Sequence, residues 1–74
     1  DKGKTAPQYK PLTPREREVL QWVAAGKSDD EISKILNIST PTVIKHVESA
    51  KAKLDTYKRS AAIITALRLG EIHL

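Results

Sequence analysis

Ile44, Lys45, Glu48 and Ser49 bring an aliphatic group, an ammonium donor, a carboxylate acceptor and a small hydroxyl within six positions of one another. These groups match the edges of nucleic-acid bases. Lysine donates to guanine, glutamate accepts from the N4 amine of cytosine, serine serves several bases, and apolar atoms meet the thymine methyl. His46, Lys51 and Lys53 flank them with an imidazole and two ammonium groups suited to phosphate. The parts of an enzyme are missing. There is no cysteine nucleophile, no His–carboxylate pair in a motif context and no glycine-rich phosphate loop. Asp29, Asp30 and Glu31 form an acidic run that helix capping explains. His46 and His73 are far apart and lack neighbouring ligands, so neither a metal nor another cofactor is expected.

The base-like face belongs to a helix expected over about Thr40 to Leu54. With Val43 at zero and about 100° per residue, Val47, Ala50 and Leu54 fall within about 40° of it and form one core stripe. Lys45, Glu48, Ser49 and Ala52 collect on the opposite face. Ile44 and Lys51 flank that face on one side, His46 and Lys53 on the other. Ser39 is placed to cap this helix. The preceding helix opens at "SDDE", where Ser28 and Glu31 form a capping box. Its apolar stripe is Ile32, Ile35 and Leu36; Asn37 breaks the run, and Ile38 is expected to be buried. The first helix begins with Thr13 as N-cap, Pro14 in the first turn and Glu16 closing a T-x-x-E box. Val19, Leu20 and Val23 recur at helical spacing, Trp22 is expected in the core, and Gly26 ends the helix. A last helix is expected from about Ser60 to Leu69, stopped at Gly70.

The whole chain has 74 residues, enough for one domain with a small core. It contains no cysteine, so no disulfide or Cys-based zinc site supports it. Thirteen Lys and Arg against nine Asp and Glu give a net charge of +4, which permits a polyanionic partner without demanding one. No apolar run approaches the roughly 20 residues of a membrane span, and no signal peptide is visible. The expectation is a soluble intracellular domain with no membrane partner. Residues 1–11 hold two Pro, a Gly and three Lys with little to bury, and read as a flexible linker or a cloning remnant. Residues 12–74 are the domain.

A short buried helix, a tight turn and a second helix buried on one side only describe an all-α, four-helix domain with a helix-turn-helix. A small helical bundle that binds protein satisfies the same wheel. On the last helix, Ile63, Ala66 and Leu67 suit packing on the domain. Ala61, Ile64, Thr65 and Arg68 form a second face open to another helix, or to packing under Tyr57. His46 has two readings as well, a phosphate contact or a bridge to a neighbouring helix.

The elements "LTPREREVL", "GKS..EI..IL.IS..TV..H", "KL" and "R..A...A...G.I", spanning residues 12–72, resemble the LuxR-type helix-turn-helix domain of bacterial transcription regulators. Trp22, Ala24, Gly26 and Lys27 look more like the quorum-sensing branch than the phosphorelay response regulators. Ala50 is smaller than the residue often found there. The resemblance implies four helices, the third reading DNA, and an N-terminal sensor domain elsewhere. It implies Ile44, Lys45, Glu48 and Ser49 as base-facing. Lys27, Ser39, Thr40, Thr42, His46, Lys51, Lys53, Lys58 and Arg59 become phosphate-facing. It implies a homodimer through Ala61, Ile64, Thr65 and Arg68 on a two-fold operator, with RNA polymerase as a further partner in a bacterial cytoplasm. Region 4 of bacterial sigma factors shares "LT.RER.VL" and "EI...L.IS..TV", and a promoter-binding role of that kind is the nearer rival.

Overall fold

The computed structural model describes residues 10–74, and among these the regular elements are four helices: α1 (Pro14–Ala24), α2 (Asp29–Leu36), α3 (Thr40–Lys53) and α4 (Arg59–Arg68). Each start has a local cause. At α1 the Thr13 hydroxyl accepts from the Glu16 amide at 3.1 Å, while the Thr13 amide donates to Glu16 Oε1 at 2.9 Å. At α2 the same reciprocal pair joins Ser28 and Glu31 at 3.1 and 2.8 Å. Two N-terminal amides that the helix itself cannot satisfy are thus paired at each site. At α3 the Ser39 hydroxyl accepts from the Thr42 amide at 3.2 Å, and a proline occupies the first turn. α4 starts at Arg59, one residue earlier than its sequence suggests, and its N-cap residue Lys58 makes no side-chain capping bond.

The helix ends are left-handed turns. Gly26 stops α1 at φ 91°, where a Cβ would be strained. Asn37 stops α2 at φ 57°, ψ 47°, and Asp55 takes φ 58° after α3. The turn of the helix-turn-helix is therefore Asn37–Ser39, with the Ile38 amide donating to the Ser33 carbonyl at 3.0 Å.

Two apolar clusters hold these helices together. Val19, Ile32, Val43 and Val47 clamp α3 onto α1 and α2, with Trp22, Val23, Leu36 and Ile38 packed around them. Leu20, Ala50, Leu54, Ala62 and Ala66 join α1, α3 and α4, closed by Leu12 and Ile72 from the chain ends. The stripe expected on α3 is buried throughout. Ala50, Ala62 and Ala66 share this cluster, so both α3 and α4 contribute small residues to it. Ala62 is fully buried and was not in the expected α4 stripe; Ile63 and Leu67 pack at its margin. Ile35 is 45% exposed, so the expected α2 stripe narrows to Ile32 and Leu36.

Residues 1–9 of the expected tail lie outside the described residues. Lys10, still within that tail, donates its amide to the Lys53 carbonyl at 2.8 Å. No described helix is long and apolar enough to cross a membrane.

Candidate nucleic-acid interface

α3 turns its buried stripe to the core and leaves Ile44, Lys45, Glu48 and Ala52 exposed on the other side. Ile44 is 42% exposed, so an aliphatic group stands on the outer face beside Lys45. Lys45 makes no ion pair among the described residues. Glu48 accepts from Lys51 Nζ at 2.9 Å, one of the intrahelical pairs its spacing allows.

At the N-terminus of α3, Ser39 and Thr42 share a hydroxyl–hydroxyl hydrogen bond of 2.7 Å. The Ser39 oxygen already receives the Thr42 amide. With the Ser39 proton directed to Thr42, the Thr42 proton is left to donate outward, beside the unpaired amides of the first turn. Lys27 and Lys58 are exposed.

Several residues expected at the DNA are turned elsewhere. The Ser49 hydroxyl donates to Glu16 Oε2 at 2.6 Å, so it faces α1 and not the outer face. Lys53 donates to Glu16 Oε1 at 2.8 Å with 26% of its side chain exposed. Arg59 grips Asp29 through two bonds of 2.8 and 3.0 Å, joining the starts of α4 and α2. The fork geometry matches the carboxylate, and the Asp29 hydrogen bond raises the already high Arg59 pKa. Thr40 directs its hydroxyl to buried Ser33 at 3.3 Å, leaving its backbone amide as the outward group. His46 is half-buried at the flank. Tyr57 is 95% exposed, so the second face of α4 does not pack under it. On that face Ile64 is 53% exposed, Arg68 is exposed, and Ala61 and Thr65 are half-buried.

Glu16 is the residue whose role the capping pattern understated. It is buried at 4% exposure and accepts from the Thr13 amide, the Ser49 hydroxyl and Lys53. Burial works to raise its pKa. The Lys53 and Ser49 hydrogen bonds, the Thr13 amide and the Lys53 charge outweigh burial and hold it at about 2. The bulk of α3 is thereby set against α1 by a satisfied charge, with no buried side-chain polar atom left unpaired among the described residues. The signal that could have found this is the placement of Ser49 and Lys53 on one flank, four residues apart.

The family model for "Bacterial regulatory proteins, luxR family" matches residues 10–66. The chain belongs to this family. It carries the family's helix-turn-helix DNA-binding domain, α2 and α3 being its two central helices. RpaR of Rhodopseudomonas palustris, a quorum sensing-dependent transcriptional regulator, is 54% identical over 63 residues, covering 85% of this chain and 26% of that protein. The spore germination protein GerE of Bacillus subtilis is 44% identical over 68 residues, 90% of this chain and 92% of that one. The solved GerE structure superposes with a TM-score of 0.81 at 43% identity, over 85% of this chain and 94% of that one. Vibrio cholera VqmA, solved as a complex with ligand and DNA, gives a TM-score of 0.76 at 31% identity over 92% of this chain and 29% of that one. The chain thus spans about a quarter of the quorum-sensing regulators it matches and nearly all of GerE.

Proposed function

We propose that the domain reads double-stranded DNA in a sequence-specific manner, with the N-terminal half of α3 in the major groove. Ile44, Lys45 and Glu48 meet base edges. Thr42, Lys27, Lys58 and the first-turn amides at Ser39 and Thr40 meet phosphates. The observation that carries this reading is the division of α3: Val43, Val47, Ala50 and Leu54 are at most 3% exposed, while Ile44, Lys45 and Glu48 stand outside in a LuxR-family fold.

Two copies bind a two-fold operator through the α4 face at Ala61, Ile64, Thr65 and Arg68, each reading a half-site about one DNA turn from the other. Tethering on one duplex raises the effective concentration of the second copy, so a small face suffices. Control passes through an N-terminal sensor domain of the quorum-sensing type in the bacterial cytoplasm, with RNA polymerase as a further partner. Sequence identity to RpaR supports that branch.

Binding to short duplexes measured against salt tests the reading. Affinity should fall steeply as salt rises, Thr42→Ala should weaken all sequences alike, and Lys45→Ala should weaken preferred ones by about 1–3 kcal/mol. Salt-independent binding, or equal losses from Lys45→Ala on every sequence, would remove α3 from the groove.

A further inference from the structure

Lys51 stands among the residues that the sequence assigns to phosphate, yet only 18% of its side chain is exposed. Its ammonium lies 2.9 Å from Glu48 Oε2, and Glu48 is itself 60% exposed on the outer face. Among the described residues the second oxygen, Oε1, accepts no hydrogen bond. We infer that Lys51 is a positioning residue for base reading: it tethers Oε2 of Glu48 and presents Oε1 to the N4 amine of a cytosine. The inference rests on the DNA-reading function proposed above and deepens it.

Three physical points support the assignment. A lone carboxylate in the major groove is repelled by phosphates on both strands. Lys51 cancels that charge where it arises, at a Glu-before-Lys spacing that helices favour. A carboxylate has two oxygens and about four acceptor sites, so one oxygen can hold the lysine while the other serves a base. On the wheel Lys51 sits about 60° from Glu48, toward the domain and away from the exposed Lys45. An ammonium on that flank can steer Glu48 while most of its own stem stays covered. One oxygen of the carboxylate is therefore held by Lys51 before DNA arrives, which lowers the ordering cost of the contact.

The test selects preferred sequences from randomised duplexes with the 74-residue chain, then measures binding against salt for each variant. Glu48→Ala locates the base pair that Glu48 reads. At that pair Lys51→Met should lower the preference for cytosine about tenfold, leave other positions unchanged and leave the salt slope unchanged. Lys51→Arg should restore most of the preference. Circular dichroism checks folding, and Lys51→Gln replaces the Met variant if that one loses its helical signal. A Lys51→Met protein that weakens on every sequence alike, with its salt slope reduced by about 0.9, would make Lys51 a phosphate contact and overturn the inference. Unchanged preference would overturn it too. If Glu48→Ala costs no base preference while the wild type remains selective, the inference fails and the groove reading stands. A wild type without any sequence selectivity removes both.

Discussion

Glu16→Gln should destabilise the domain through one pH-dependent contribution whose size the structure allows to be worked out. The carboxyl ordinarily titrates at 4.5 and is held at about 2 in the fold. At about 1.36 kcal/mol per pH unit, ionised Glu16 accounts for on the order of 3 kcal/mol of stability at neutral pH. Lys53 keeps 26% of its side chain in water, which screens the pair, so about 2–3 kcal/mol is the expected loss. For a domain of this size that lowers the melting temperature by about 10–20 °C. Because the folded pKa is depressed, the stabilisation is fully present above 4.5 and disappears as pH falls toward 2. Urea unfolding of wild type and Glu16→Gln across pH 2–7 reads the difference directly. The gap should be open at pH 7, close between 4.5 and 2, and be near zero at the acid end. Glu31, whose pKa its Ser28 backbone hydrogen bond lowers, titrates in both proteins and cancels. A gap of constant size at every pH would refute the argument, since lost packing and not lost charge would then explain it.

Asn37→Ala should cost about 1 kcal/mol in thermal unfolding, because alanine pays for the left-handed backbone at φ 57°, whereas Asn37→Gly should be neutral or stabilising. An equal loss with glycine would shift the cause to the Asn side chain. Ile64→Glu should leave monomer stability within about 0.5 kcal/mol, because Ile64 is 53% exposed. It should also weaken binding to a two-half-site duplex about 10–100-fold while sparing a single half-site, which fluorescence anisotropy separates. Equal losses on both duplexes would place Ile64 outside any contact between copies.

The four helices, and the starts of the first three, were legible because their causes are local. Thr13 with Glu16, Ser28 with Glu31, and Ser39 with Thr42 each act across three positions, and the core stripe of α3 follows from helical period alone. Ile44, Lys45 and Glu48 were legible as an outward face for the same reason. α4 was harder. It has no side-chain cap, and its buried Ala62 carries too little hydrophobic signal to mark a core position.

Local pattern decided which elements form and which way the stripe of α3 faces. The destinations of the polar side chains were decided by partners distant in the chain. Ser49 and Lys53 differ from true outward residues only because Glu16, 33 and 37 positions away, waits on α1 to receive them. Arg59 became a strut because Asp29, 30 positions earlier, presents a carboxylate at fork spacing. A cation looks alike in sequence whether it will meet a phosphate or a carboxylate. Its choice depends on which anion the packed helices bring within about 3 Å, and only the tertiary structure fixes that distance.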